Sequence, residues 1–171
     1  MWNCRYWGSF IIELDISGDQ FIRARKKAID MGTIANSITN GGGNLAGFIG
    51  EILVTDYINA KEQNTYDYDI VDLVGNKIDV KTKRCNSEPK PHYDCSIAAH
   101  GTKQKCDMYV FVRVLNNFSK GWILGKITKD DYFSKAKYHK KGDLDDDNKF
   151  RYKTNCYNVK ISDLDTLYGS K

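Results

Sequence analysis

The sequence predicts an α/β protein with a mixed central sheet flanked by helices. Three observations favour this class: short runs rich in β-branched and aromatic residues, two longer segments with apolar residues at helical spacing, and a Gly-Asn turn between two strand-like runs. A chain of 171 residues can bury a sizeable core. We expect a single domain, with a core at about 44–127 preceded by a strand and a helix and followed by a charged C-terminal segment.

The N-terminal part predicts one strand and one helix. Residues 9–16 are typical of a strand, and residues 20–29 form the helical segment, with Ser17 or Asp19 available as its N-cap. The apolar residues at helical spacing in this segment are Phe21, Ala24, Ala28 and Ile29.

A second helix is predicted over about 44–60, with Asn44 as its N-cap. Its apolar face is formed by Leu45, Phe48, Ile49, Ile52, Leu53 and Tyr57. Gly47 and Gly50 inside a helix cost about 1 kcal/mol each, which indicates that another backbone packs closely there. Glu51 follows directly and would face that gap.

Strands predominate in the remaining chain. Residues 68–74 and 77–83 predict a hairpin around a Gly-Asn turn. Within a later strand, Tyr109 and Phe111 alternate with valines, which favours core packing over base stacking. The other predicted elements are a possible strand at 95–99, a buried strand at 108–114, a strand at 122–127, a helix from 129, a charged surface loop at 139–152, and a strand or short helix at 159–164.

Positive charge is concentrated around the hairpin. The net charge of +4 permits a polyanionic partner without requiring one. Residues 77–105 hold Lys77, Lys81, Lys83, Arg84, Lys90, Lys103 and Lys105 against Asp79, Glu88 and Asp94. Positive charge around a carboxylate site would help that site attract a phosphate backbone, although a solvated basic face has the same composition.

The cysteines stand at positions 4, 85, 95, 106 and 156, an odd number without a C-x-x-C pair. Reduced thiols in a cytoplasmic protein are the simplest interpretation. A zinc site from Cys85, Cys95 and Cys106 with His92 or His100 is an alternative, but its spacings lack the close ligand pairs of structural zinc sites. Because neither an apolar signal core nor a membrane-length stretch occurs, we expect an intracellular protein without a membrane partner.

The most informative stretch begins at Asp69, which starts the first hairpin strand, and ends with an acid-x-lysine triplet on the second. A three-residue loop with a bulge would place Asp69 opposite Lys81, so that Asp69, Asp79 and Lys81 share one face. A two-residue loop would instead place Asp72 opposite Asp79. We prefer the first register, and Asp72 remains the alternative ligand because a one-residue slip reverses the faces.

Two carboxylates on one face suit Mg²⁺, whose other coordination positions are filled by waters and a phosphate oxygen. The ion would lower the pKa of a bound water and neutralise charge that develops on phosphorus. Lys81 would stabilise that charge or hold the attacking hydroxide, and Glu51 would complete the ligand shell or bind a second ion.

Three segments together resemble the PD-(D/E)XK nuclease superfamily: Gly47-Phe-Ile-Gly50-Glu51, Tyr68-Asp69-Ile-Val, and Ile78-Asp79-Val-Lys81-Thr82. The resemblance covers about residues 44 to 115 and implies a restriction-endonuclease-like α-β-β-β-α-β core. It also implies that Asp69, Asp79 and Lys81 fill the family signature and that Glu51 is the glutamate of the first core helix.

Two features depart from the family pattern. Tyr68 stands where a proline usually precedes the first acidic residue. Only residues 100–107 separate the third and fourth predicted strands, so the second core helix must be short or displaced. Lys103 and Gln104 fall where family members often place an auxiliary polar residue near the metal.

On this resemblance we expect an endonuclease that depends on Mg²⁺ or Mn²⁺ and hydrolyses phosphodiester bonds in DNA. The residues expected to contact nucleic acid are Lys83, Arg84, Lys103, Gln104 and Lys105. One alternative is a catalytically inactive nucleic-acid-binding or assembly module on the same fold, and a weaker one is a zinc-stabilised interaction domain. A homodimer would assist double-strand cleavage.

Overall fold

The computed structural model describes residues 5–7, 11–31, 42–145 and 149–167, with only the backbone described at 5–7 and 42–43. Its helices are α1 (Gly18–Met31), α2 (Gly42–Ile58) and α3 (Lys129–Lys135). Within these ranges, none of the helices has the length and apolar content needed to cross a membrane. In chain order, the strands are β1 (Arg5–Trp7), β2 (Ile11–Asp15), β3 (Lys61–Glu62), β4 (Ile70–Val71), β5 (Lys77–Cys85), β6 (Asp94–Ala98), β7 (Met108–Leu115), β8 (Lys120–Thr128), β9 (Lys137–His139) and β10 (Cys156–Lys160).

One mixed sheet forms the centre of the molecule. Its strand order is β1-β2-β8-β7-β5-β4-β3, and neighbouring strands are antiparallel except for the parallel pair of β5 and β7. Along the chain, α2 is followed by β3, β4 and β5, and a crossover then returns to the sheet at β7. The predicted α/β fold with a mixed sheet is therefore confirmed.

The crossover between β5 and β7 contributes a strand to a second sheet. In that sheet β6 pairs antiparallel with β10, which pairs antiparallel with β9. The possible strand predicted at 95–99 is therefore confirmed as β6, although it lies in this second sheet and not in the large one. Cys95 and Ile97 do alternate toward the interior as a strand requires, but the partner strand β10 comes from the C-terminal part of the chain.

Where the second core helix was expected to be short or displaced, the described crossover has a 3-10 helix at Ala99–Lys103. The strand or short helix predicted at 159–164 is both, because β10 leads directly into a 3-10 helix at Ile161–Asp163. Within the predicted charged loop at 139–152, Leu144 and Arg151 form an isolated bridge, and residues 146–148 lie outside the described part of the chain.

The large sheet has an apolar core on each of its faces. On one face α2, backed by α1, covers side chains that include Ile78, Val110 and Val112. On the other face the second sheet and α3 cover Tyr109 and Phe111, which are 0% and 3% exposed. Side chains of β7 thus alternate between the two cores, which confirms core packing for both aromatic residues.

The helix α1 begins with a reciprocal cap. Gln20 N donates to Ser17 Oγ over 3.1 Å, and Ser17 N donates to Gln20 Oε1 over 3.0 Å. The prediction of Ser17 as the N-cap is therefore confirmed. Ala24 is buried against the core as predicted, whereas Ile29 is 69% exposed and was wrongly placed on the apolar face.

Gly50 permits the close approach of α2 to β5. A Cβ atom at Gly50 would overlap Thr82 Oγ1 and lie 3.0 Å from Thr82 Cβ, whereas a Cβ atom at Gly47 would have no heavy atom within 4 Å. The predicted close packing is confirmed at Gly50 and is wrong at Gly47. Glu51 follows the contact directly, so the same approach carries its side chain toward the β4–β5 pair.

Candidate active site

The β4–β5 pair sets Asp69 against Asp79. Ile70 lies opposite Ile78 and Val71 opposite Lys77, so five residues, 72–76, form the turn. Continuing this register by one residue places Asp69 opposite Asp79. Both predicted registers are therefore wrong, and only Ile70–Val71 of the predicted strand at 68–74 pairs as β4.

The predicted grouping of side chains nevertheless survives the error in register. The observed pairing differs by two residues from the preferred prediction, and side chains on a strand alternate with a period of two. Asp69, Asp79 and Lys81 therefore still share one face. Asp69 is further fixed by the backbone, since Val80 N donates to Asp69 Oδ2 over 2.7 Å.

Asp72, the alternative metal ligand, instead stabilises the turn between β4 and β5. Its Oδ1 accepts hydrogen bonds from Val74 N at 3.0 Å and Asn76 N at 2.8 Å. Its Oδ2 accepts from Asn76 Nδ2 at 2.7 Å. The Asp72 carboxylate therefore organises the turn, because its oxygens point into the backbone of residues 74–76.

Asp79 and Lys81 form the closest ion pair of the site, with Lys81 Nζ lying 2.6 Å from Asp79 Oδ2. Asp79 is only 3% exposed. Its Oδ2 atom is buried and receives no hydrogen bond of acceptable geometry. A buried carboxylate in this state requires compensation by positive charge, and Lys81 provides one such charge.

Gln104 is the second partner of Lys81. Lys81 Nζ donates to Gln104 Oε1 over 3.0 Å, and Gln104 Nε2 donates to Tyr66 O over 3.1 Å. Lys129 Nζ donates to the backbone carbonyl of Gln104. The expected position of Gln104 near the site is thus observed. No local pattern indicates Tyr66 or Lys129, because their contacts arise from chain segments that are brought together by folding.

Glu51 approaches the pair from α2, accompanied by a lysine that sequence reasoning missed. Lys27 Nζ on α1 lies 3.5 Å from Glu51 Oε2 and 3.0 Å from Glu62 Oε2. It also lies 5.3 Å from the centre of the Phe48 ring. Only the packing of α1 on α2 brings Lys27 here, so no local pattern could identify it.

Burial and mutual repulsion hold protons on two of the carboxyl groups. Burial raises the pKa of Asp69 to about 8, with further increases from the charges of Glu51 and Asp79. Burial also raises the pKa of Glu51 to about 7, while Lys27 opposes the shift. Burial and the neighbouring acidic charges therefore both disfavour the ionised forms of Asp69 and Glu51.

Asp69 and Asp79 lie opposite each other at the end of the β4–β5 pair, and the Asp79 carboxylate is among the causes that raise the pKa of Asp69. Across the described ranges, no three His, Cys, Asp or Glu side chains are arranged to hold a metal ion together. Glu51, Asp69 and Asp79 therefore do not form a three-residue ligand group in the structure. The alternative zinc site is not formed within the described ranges either. Cys85, Cys95 and Cys106 are free thiols and do not group with a histidine.

The residues expected to contact nucleic acid do not all lie on one surface of the protein. Lys83 and Arg84 are neighbours on β5 and so point to opposite faces. Arg84 Nη2 donates to Asn116 O over 3.2 Å, and its guanidinium lies over the Phe118 ring. By alternation, Lys83 lies on the face of Asp79 and Lys81.

Lys103 and Lys105 are exposed in the segment before β7. Lys105 N donates to Asp67 Oδ1 over 3.1 Å, so this segment lies beside the residues that lead into β4. Together with Gln104, the two lysines therefore border the side of the site formed by residues 66–69.

Known proteins add no identity to this geometry. No protein-family model matches the chain. No curated protein matches it at a significant level either. The function is therefore inferred below from the chain's own residues and their arrangement.

Proposed function

We propose that this protein is a Mg²⁺- or Mn²⁺-dependent endonuclease that hydrolyses phosphodiester bonds in DNA. One observation carries the proposal: two carboxyl groups, Asp69 and Asp79, meet at a strand pair, and the Lys81 ammonium lies 2.6 Å from Asp79. Carboxylates with an adjacent ammonium suit a site that holds a divalent cation beside a phosphate.

The carboxyl groups fit a hard divalent cation. The pKa of Asp69 is raised by burial and then by the charges of Glu51 and Asp79, although Lys81 Nζ already lies 2.6 Å from Asp79 Oδ2. A divalent cation beside these carboxyl groups would offset the repulsion between them. Asp69 and Asp79 would hold the ion, which lowers the pKa of a bound water and neutralises charge on the phosphate.

Lys81 has the position of a group that stabilises the phosphate. Asp79 and Gln104 hold its ammonium from two directions, at 2.6 Å and 3.0 Å. Ordering of this kind places a positive charge before the reaction begins, which is the origin of electrostatic catalysis. Val80 N orients Asp69 in the same way, through its 2.7 Å hydrogen bond to Oδ2.

The chain order supports the same interpretation. The helix that carries Glu51, α2, is followed by the three strands β3, β4 and β5, and the chain then crosses over to β7, parallel to β5. Apart from β6 and the 3-10 helix in the crossover, this order agrees with the one implied by the resemblance to the PD-(D/E)XK superfamily. Glu51 would then shape the field of the site with Lys27, rather than complete the ligand shell directly.

Nicking of supercoiled plasmid DNA tests the proposal. The parent is incubated with Mg²⁺, Mn²⁺ or EDTA, beside Lys81→Ala and a matched control, Lys137→Ala, at an exposed lysine on β9. We expect metal-dependent nicking that falls at least about a hundredfold in Lys81→Ala, as when a group stabilising the transition state is removed. Equal nicking by Lys81→Ala and the parent would place the chemistry elsewhere.

A second candidate is a nucleic-acid-binding module on the same fold that lacks catalysis. It is favoured by the finding that, in the described part of the chain, three metal-ligating side chains do not converge. This candidate predicts DNA binding that weakens steeply with salt and no nicking with any divalent ion. Binding measured at two salt concentrations beside the nicking reactions separates the two.

A further inference from the structure

The turn between β4 and β5 presents two aliphatic side chains to solvent. Leu73 is 73% exposed and Val74 is 80% exposed. Tight turns usually carry Gly, Pro, Asn, Asp or Ser at their tips, and isolated exposed aliphatic residues need no explanation. Here two are adjacent at the tip of a turn that connects Asp69 to Asp79.

Hydrogen bonds hold the tip in one conformation. Besides the three side-chain bonds to the Asp72 carboxylate, Gly75 N donates to Asp72 O and Asp72 N donates to Asn76 O, each over 3.1 Å. Gly75 supplies the positive φ of 95° that the turn requires. The apolar tip is therefore rigid, so little conformational entropy is lost if it enters a partner.

The tip lies close to the candidate active site and to basic side chains. Lys77 directly follows the turn, and its ammonium lies 5.5 Å from the centre of the Tyr68 ring. Asn76 is the last residue of the turn, and strands rise about 3.4 Å per residue, so the turn ends about 10 Å from Asp79, the length of roughly three nucleotide steps.

An exposed aromatic residue lies near the site. Tyr66 is 80% exposed and precedes Asp69 by three residues. Its carbonyl accepts from Gln104 Nε2, and Gln104 Oε1 accepts from Lys81 Nζ. The two acidic residues are thus flanked by an aliphatic tip and by an exposed aromatic ring.

We propose that Leu73 is a wedge that enters a base step of duplex DNA within about three steps of the scissile phosphate, and that Tyr66 stacks on the base that is displaced. The wedge acts on the substrate of the nuclease proposed above and so rests on that function. Apolar side chains that enter base steps unstack them, and aromatic rings accept unstacked bases of any sequence. Lys77 supplies charge complementary to the adjacent phosphates.

Cleavage of two duplexes tests the wedge. One duplex is fully paired, and the other has a mismatch within three steps of the cut made by the parent. Leu73→Ser should cut the paired duplex about tenfold more slowly, because the inserted side chain offsets part of the cost of unstacking the base step. On the mismatched duplex, which is already open, the loss should be less than about threefold. The control Ile22→Ser alters a residue on α1 that is 68% exposed and should change neither rate.

A wedge is excluded if Leu73→Ser cuts the paired duplex as fast as the parent, or if it slows both duplexes equally. Light scattering measures the oligomeric state of the parent and of Leu73→Ser beside the assay. A shift from dimer to monomer in Leu73→Ser would assign the tip to a subunit contact and overturn the proposal.

Binding without cleavage provides the independent measurement. In Ca²⁺, the parent should increase the fluorescence of 2-aminopurine placed at one step of the paired duplex, and Leu73→Ser should not. No increase at any position with the parent would overturn the wedge. An increase without cleavage in Mg²⁺ or Mn²⁺ would retain the wedge and reject the nuclease.

Discussion

Lys81 Nζ donates a hydrogen bond to Gln104 Oε1 over 3.0 Å, which joins β5 to the segment that leads into β7. The same ammonium lies 2.6 Å from Asp79 Oδ2. Lys81 therefore has one anionic and one neutral partner. Gln104 Nε2 donates to Tyr66 O over 3.1 Å, so the Gln104 side chain is itself held in place and orients the Lys81 ammonium.

The first prediction concerns Gln104 as a positioning residue. Gln104→Ala should slow plasmid nicking at least about tenfold, because a hydrogen bond from a charged donor contributes about 1.5–3 kcal/mol and about 1.4 kcal/mol corresponds to a tenfold change in rate. Gln104→Glu keeps the acceptor for Lys81 but loses the Nε2 donor to Tyr66 O, so it should retain only part of the activity. Gln63→Ala, at an exposed glutamine, is the control. Equal rates for Gln104→Ala and the parent would remove Gln104 from the site.

The second prediction concerns the pH dependence of stability without metal. The pKa of Asp69 is about 8 and that of Glu51 about 7 in the fold, raised above ordinary values of 3.8 and 4.5. A raised pKa means that the folded state binds protons more tightly, so this stabilisation is complete below about pH 4 and is lost as the pH rises through about 7 to 8. In EDTA, the free energy of unfolding should therefore fall between about pH 5 and 9.

Urea denaturation across this range measures the effect. The slope should reach at most about 1.4 kcal/mol per pH unit for each carboxyl. Asp69→Asn mimics the protonated side chain and should flatten the curve relative to the parent. Identical curves for the two proteins would contradict the raised pKa of Asp69.

The third prediction concerns divalent cations. Mg²⁺, Mn²⁺ or Ca²⁺ should raise the Tm of the parent, and more at about pH 8 than at about pH 6, because protons compete with the ion for the carboxylates. Asp79→Asn should abolish the increase, whereas Asp30→Asn, at an exposed residue of α1, should retain it. An undiminished increase in Asp79→Asn would locate the cation away from this pair.

The fourth prediction compares two glycines of one helix. Gly50→Ala should destabilise the protein by about 1–3 kcal/mol, because the added methyl group overlaps Thr82. Gly47→Ala meets no atom within 4 Å and should stabilise it by up to about 1 kcal/mol through helix propensity. Thermal unfolding of both variants measures the difference. Equal shifts in Tm would contradict the close contact between α2 and β5.

The sequence by itself determined the elements whose signals are local. Apolar spacing located α2, the alternating aromatic and valine residues located β7, and Ser17 located the start of α1. It also selected the acids and the lysine that share a face on the β4–β5 pair. That grouping depends only on the period of two in a strand, which survives a two-residue error in register.

Only the tertiary structure decided which distant segments meet. It placed β6 beside β10 in a second sheet, set Asp69 opposite Asp79, and brought Lys27 to Glu51. It also directed the Asp72 carboxylate to hydrogen bonds within the turn and left Leu73 exposed at the tip of that turn. These outcomes depend on the packing of whole elements and on the loop geometry between strands, and neither is encoded in the spacing of residues along one segment.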